Sequence, residues 1–416
     1  MEKRKICNAL ILLLIALALT GCWDKKEVEQ KAYVIGLGLD KSEDKGPINV
    51  TLLIANPEVG SQQTGGAQNE PVQEIITLPA NDFISVKNTA NVVVARELSY
   101  DLMEIIIVSE EFAKEKEFIR WMYDAAKERE IRRDIFLAVS KEKASEFIKK
   151  NKPKVETRPH KYFQFMIRQG IQTGLIPKSD LHRFFKVTEQ DADLFLAMYI
   201  SSKKDESTTF GNVDQYLPGE LDISGSSNQT QFIGSAVFKE GIMIGKLNGQ
   251  ETRIAQTFDN TSNISNVMVT YPDPFDEDYK IAIRLIKKHP VDVKMSLQNG
   301  RLNINMEVPF TVEVLTDPSM ANYATDSEKV KILKEHLQST LEKSALNFIK
   351  KTQEELKGNP FSLSLHGRRL FSTIPEYEDF DWMKSYPEAD INVKVKMELG
   401  EFGKQTKVID LEKVRD

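Results

Sequence analysis

This 416-residue chain has two cysteines, Cys7 and Cys22, and that scarcity sets its first limits. Disulfide scaffolds and thiolate metal sites need more thiols than this, so ordinary apolar cores must hold the body together, and 41% hydrophobic residues supply them. Basic runs are also missing. Lysine and glutamate are interspersed at a net charge of −6, with no stripe of the kind that neutralises phosphates, which excludes nucleic acid as an expected partner. After Leu19 no apolar run lasts more than a few residues, so a second membrane span is not expected.

Catalytic patterns are equally scarce. The five histidines (His160, His182, His289, His336 and His366) lie far apart, and none forms a metal-spaced pair. Gly36-x-Gly38 follows the first strand pattern, but Lys41 stands where a dinucleotide fingerprint requires glycine, so close packing explains these glycines better than phosphate binding. The acids Asp273, Asp276, Glu277 and Asp278 lack the glycine and closing glutamate of a calcium loop and read as a solvated turn. Pairs such as Glu110-Glu111 or Asp191/Asp193 do not suggest glycoside hydrolysis without a cleft. No reaction and no cofactor is expected.

The first 22 residues carry the clearest positive signal. A basic start (Lys3, Arg4, Lys5) precedes an uncharged run from residue 6 to 19, and Leu19-Thr20-Gly21-Cys22 closes it with small residues before a cysteine. This is the pattern of a lipoprotein leader. The positive end stays inside, the apolar run enters the bilayer, small residues fit the peptidase, and the Cys22 thiol takes the lipid. The run is short for a spanning helix, and Asp24, Lys25, Lys26 and Glu27 follow at once. Cleavage before Cys22 would leave 395 residues and, by removing Glu2 with the three basic residues, change the net charge to −8. A diacylglyceryl group on Cys22, with possible N-acylation, supplies the two chains that persistent anchoring needs.

Beyond the leader, the patterns predict a multi-domain mixed α/β (α+β) protein with mixed sheets flanked by helices, in three domains at 22–155, 156–285 and 286–416 after a leader at 1–21. The first domain reads as a hairpin (33–39 and 48–55), a mobile loop (56–71), a helix beginning after Asp82, and alternating strands (103–108, 135–139) and helices (118–129, 144–150). Residues 150–159 read as a linker. The middle domain is expected to hold helices at 162–172 and 192–198 and a hairpin turned at Glu240-Gly241. Tyr271-Pro272-Asp273-Pro274 marks its exit. The last domain has a hairpin at 291–297 and 302–314 whose Asn299-Gly300 turn supplies the positive φ angles a two-residue loop needs. A long helix at 326–350 should pack across the buried face of that hairpin, and a closing strand is expected at 391–399.

Several segments in order also carry a family resemblance: Gly21-Cys22-Trp23-Asp24 with Glu27 and Glu29, Arg96-Glu97-Leu98-Ser99-Tyr100, Arg129-Glu130-Ile131-Arg132-Arg133-Asp134, Gly234-Ser235-Ala236-Val237-Phe238-Lys239, and Trp382 ahead of the final strand. Together they resemble the Ger(x)C family of spore germination lipoproteins. The resemblance implies a three-domain α/β body, the C subunit of a germinant receptor, anchored by lipid to the outer face of the cell or inner spore membrane. Implied partners are two integral membrane subunits, one of them permease-like. Residues 361–367 depart from the family, which has an aspartate and a Gly-x-Gly there. The alternative is a lipid-anchored solute-binding protein delivering a nutrient to a permease, with a cleft between two lobes; a cell-wall enzyme with two facing carboxylates is a third possibility.

Overall fold

A computed structural model describes residues 30–42, 48–55, 73–190, 192–205, 213–262 and 264–403, with residues 2, 4–6 and 8–9 of the leader. Cys22, the tether after it and the whole loop expected at 56–71 lie outside the described residues.

Hydrogen bonding divides these residues into two sheets. The first has nine strands: β1 (Lys31–Asp40), β2 (Ile48–Ala55), β3 (Gln73–Ala80), β4 (Glu97–Ser99), β5 (Ile105–Ser109), β6 (Phe136–Ser140), β7 (Phe195–Ser201), β8 (Gln231–Lys239) and β9 (Ile242–Leu247). Their spatial order is β3-β2-β1-β5-β6-β7-β8-β9, with β4 beside the start of β1. The centre, β1-β5-β6-β7, is parallel, and each flank is antiparallel. Parallel strands need crossovers, and helices supply them on both faces. On one face α1 (Phe83–Ala90), α2 (Glu117–Lys127) and α5 (Leu181–Gln190) pack Phe83, Phe118 and Phe184 against Ile106, Val108 and Val139. On the other, α3 (Ala144–Lys150) and α4 (Pro159–Thr173) pack Phe147, Ile148 and Phe163 against Ile105, Ile107 and Met198.

The glycine at 38 belongs to this packing. A Cβ there would stand 2.9 Å from Ile148 Cδ1 and 3.2 Å from both Ala144 Cβ and Thr51 Cβ, so its absence lets α3 sit close on β1. At the end of β1, buried Asp40 accepts the Ala144 and Ser145 amides at 2.6 and 2.9 Å, capping α3 from a different element.

The second sheet contains β10 (Asn266–Pro272), β11 (Lys280–Ile286), β12 (Asp292–Gln298), β13 (Arg301–Val314) and β14 (Asp390–Leu399). Strand β13 pairs with β12 along its first half, with β11 at its end, and in parallel with β14. The helix α7 (Ser327–Glu354) makes the β13-to-β14 crossover, and α6 (Gly249–Phe258) packs beside it. Leu333, Leu337, Ala345 and Phe348 of α7 share one core with Leu302, Ile304, Met306 and Val308 of β13. Asp326 caps α7, accepting the Glu328 and Lys329 amides.

Three readings change. Residues 192–198 lead into and open strand β7 rather than forming a helix: Leu194 to Met198 is an unbroken apolar run, which periodicity cannot assign and which the doubly covered sheet centre makes a strand from Phe195 on. Tyr271-Pro272-Asp273-Pro274 turns β10 into β11 within one sheet, and Asp273 is fully buried, accepting the hydroxyls of Tyr323 and Ser319, while Asp276, Glu277 and Asp278 are exposed. The first sheet continues across the boundary expected at 155/156, and a strand of the second sheet spans the one expected at 285/286. Strands β6 and β7 pair across the first boundary, which lies in an irregular connection between α3 and α4, and the second lies at the last residues of β11.

Candidate functional site

Among the described residues no group of three or more His, Cys, Asp or Glu side chains could hold a metal ion, and no helix is long and apolar enough to cross a membrane. His366 Nε2 lies 3.4 Å from Asn260 Nδ2, and His336 Nε2 lies 3.0 Å from the Pro272 carbonyl, so these two histidines serve separate local contacts. Glu110 is tied to Lys114, Lys246 and the Tyr199 hydroxyl, whereas Glu111 beside it is exposed. Two polar networks involve segments singled out in the sequence.

The first lies at the end of the large sheet where β1 begins. Residues 31–33 pair with β4, bringing Lys31 Nζ to 3.1 Å from Asp101 Oδ2, which also accepts the Ser99 hydroxyl at 2.9 Å. Burial pushes the Asp101 carboxyl up, but Ser99 and Lys31 outweigh it and hold the group below its ordinary value. Two segments singled out in the sequence meet here. Glu130 accepts the Tyr100 amide and the Lys87 ammonium, both at 2.8 Å, and Arg132 donates to the Asp101 carbonyl and, at 2.9 Å, to Asp134. Tyr100 in turn donates its hydroxyl to the Phe83 carbonyl at 3.0 Å beneath the Lys87 ammonium. Burial raises that phenol well above its usual value, so it acts only as a neutral donor. The segments 96–100 and 129–134 thus form one brace around the first residue of β1.

The second lies at the junction of the two sheets. Asp193, two residues before β7, accepts the Ser364 hydroxyl at 2.5 Å and the Asn359 amide, and Leu194 N–H donates to the Asn359 carbonyl at 2.8 Å. Burial pushes the Asp193 carboxyl up to about 6, with the Ser364 and Asn359 hydrogen bonds opposing it. The divergent segment 361–367 is therefore structural: Phe361 and Leu363 enter the second core, Ser364 binds Asp193, and Gly367 makes room for Trp382, whose Cη2 would stand 1.9 Å from any Cβ there. Nothing in the sequence of 359–364 announced that contact, because its partner is 166 to 171 residues away. An open cleft of about 570 Å³ lies beside this junction, lined by Glu189, Arg368, Tyr377, Asp381 and Trp382 among others.

Comparison with known proteins supplies the family. Residues 24–201 match the family model described as spore germination protein N-terminal domain, and residues 233–403 match the one described as spore germination B3/GerAC like, C-terminal. The chain belongs to the Ger(x)C family of germinant receptor proteins. Spore germination protein KC of Bacillus subtilis (strain 168) is 24% identical to it over 415 residues, 94% of either chain. Spore germination protein B3 of the same organism is 21% identical over 399 residues, 94% of this chain and 97% of that one. Spore germination protein A3 is 37% identical over a 77-residue stretch. The crystal structure of the GerBC protein superposes with a TM-score of 0.50 at 16% identity, covering 90% of this chain and 99% of that chain, and shares the mixed α/β fold. The two family matches meet inside the large sheet: β7 closes the first, and β8 and β9 open the second.

Proposed function

We propose that this Ger(x)C protein is a lipid-anchored, non-enzymatic subunit of a nutrient germinant receptor, acting in spore germination by supporting receptor assembly or signalling. The leader ending at Leu19-Thr20-Gly21-Cys22, in a chain of this family, carries the reading. The diacylglyceryl group sits on Cys22 and holds the body at the outer face of the membrane, beside two integral membrane subunits, one of them permease-like. Anchoring raises the effective concentration of the body near those partners.

Cys22→Ala removes the acyl site and changes no residue of the hydrophobic cores. The variant should fail to incorporate labelled fatty acid and should leave the membrane fraction, and spores carrying it should respond weakly to nutrient while still germinating with a receptor-independent trigger. Labelled fatty acid entering the variant would overturn the lipid assignment. An unchanged nutrient response in a strain lacking the gene and any paralogous receptor would overturn the function.

The cleft beside Asp193 favours one second reading, solute binding. Its lining carries the carboxylates Glu189, Glu378, Asp379 and Asp381 against the guanidinium of Arg368, which already lies over the Tyr377 ring, and that acidic excess suits a small organic cation. Titrating the purified protein with amines, amino acids and sugars while following its melting temperature separates the two, since a bound solute raises it and a purely structural cleft leaves it unchanged.

A further inference from the structure

The turn after α1 displays two side chains that the core does not use. Val92 is 86% and Val93 71% exposed, while Val94 beside them is buried. Asn91 holds this turn closed, donating its Nδ2 to the Arg96 carbonyl at 2.6 Å, so the pair is presented by a braced turn. Leu102, 48% exposed, stands in the neighbouring turn, directly after the Asp101 that binds Lys31. Singly exposed apolar side chains are ordinary. These three, however, share one end of the sheet: Glu97 pairs with Lys31, Val93 lies four residues before Glu97, and Leu102 follows Lys31's ion-pair partner. The adjoining connection from α2 to β6 adds the exposed guanidinium of Arg129.

Resting on the reading that Cys22 is acylated, we infer that this end of the first sheet lies on the bilayer, with Val92, Val93 and Leu102 entering the headgroup region. Chain length points the face. Lys31 is nine residues from Cys22, so whatever path those residues take, Lys31 stays within about 30 Å of the acylated sulfur. The far end of β1, nine residues on at Asp40, lies about 30 Å further along the strand. The body as a whole is acidic and gains nothing from an anionic surface, so contact must come from apolar side chains placed where the tether delivers them. Such contact would fix the orientation of the body over the membrane, which a lipid on one residue alone does not.

The test uses the full-length, acylated protein in vesicles of phosphatidylethanolamine and phosphatidylglycerol. Acylation consumes the Cys22 thiol and Cys7 leaves with the leader, so Val92→Cys, Val93→Cys or Leu102→Cys each provides the sole free thiol for a nitroxide. Lys116→Cys serves as reference: it is exposed at the opposite end of the same strands, beside Glu115, which pairs with Lys41 just after β1. Accessibility to oxygen relative to a polar nickel chelate should be several-fold higher at 92, 93 and 102 than at 116. Labelled palmitate uptake and flotation with the vesicles report anchoring separately. Protein that takes up palmitate and floats, yet shows the same accessibility at all four positions, overturns the inference and leaves the anchor standing. Protein that takes up no palmitate overturns both, since the tether length no longer places this face.

Discussion

The two sheets bury their strands in different ways. Every residue of β5 is buried, because helices cover both faces of the first sheet, whereas β13 alternates between buried and partly exposed positions, because α6 and α7 cover only one face of the second. On its open face the second sheet carries cross-strand ion pairs, Arg284 with Glu313 and Lys396 with Glu307. A strand covered twice has no side chain free to change without cost. A strand covered once keeps half of its positions for solubility or contact, so substitutions should be costly throughout the centre of one sheet and costly on alternate residues of the other.

The largest expected effect tests that contrast. Phe184 on α5 packs edge to face against Phe118, Phe185, Phe195 and Phe238 with ring centroids 5.2 to 6.1 Å apart. Phe184→Ala should lose about 3 to 5 kcal/mol in denaturant unfolding, through lost burial and a cavity that these neighbours cannot fill. Asn305→Ala, on the open face of β13, should change stability by no more than about 0.5 kcal/mol. Comparable losses would mean that something unaccounted for covers the second sheet's outer face.

The next effect lies at the seam. Asp193 joins the first sheet to the segment after α7, and its carboxyl, pushed up to about 6 by burial, is protonated in the folded protein over a range where the unfolded chain, near 3.9, has already ionised. Native protein therefore binds more protons at this group than unfolded protein does between those values, so the contribution of Asp193 to stability is fully present below about pH 4 and is lost as pH rises to about 6, by on the order of 3 kcal/mol. Asp193→Asn keeps an acceptor for its neighbours and removes the titration. Subtracting its melting curve from that of the natural protein across pH 4 to 7 should leave this slope. Parallel curves would show that the carboxylate stays ionised in the fold, with Ser364 and Asn359 compensating its burial.

The same contrast decides what could be read in advance. The second sheet's hairpin was legible to within a residue, since its strands alternate and Asn299-Gly300 names its own turn. In the first sheet the hairpin 33–55, helix 144–150 and the strands at 105–109 and 136–140 were also legible, as short apolar patterns bounded by polar residues. Residues 192–198 were misassigned because a doubly buried strand has no period to read. Helix α6 was missed although Asn248 and Glu251 form a capping box that the spacing Asn-x-x-Glu announces. The brace around Lys31 was half legible: its segments 96–100 and 129–134 stood out by resemblance, but only the parallel pairing of β1 with β4 and β5 brings them together. The Asp193 to Ser364 contact had no local signal at all.

The smallest effect belongs to the most legible feature. Asn299 and Gly300 sit at φ of 53° and 79°, both in the left-handed region, and a Cβ at Gly300 would meet no atom within 4 Å. Space is therefore not what requires glycine there; backbone conformation is. Gly300→Ala should cost about 1 kcal/mol, seen as a lowered melting temperature, because alanine is strained at that φ while glycine is not. Gly300→Asn should lose less than Gly300→Ala despite its larger side chain, since asparagine tolerates the left-handed region and open water receives its amide. Gly234 in the first sheet makes the opposite case: at a φ of 85°, its Cβ would stand 2.4 Å from the Leu247 carbonyl, so asparagine should be worse there than alanine. Reversed rankings at either position would break the claim that the first sheet is constrained by packing on every side and the second, at its edge, by backbone geometry alone.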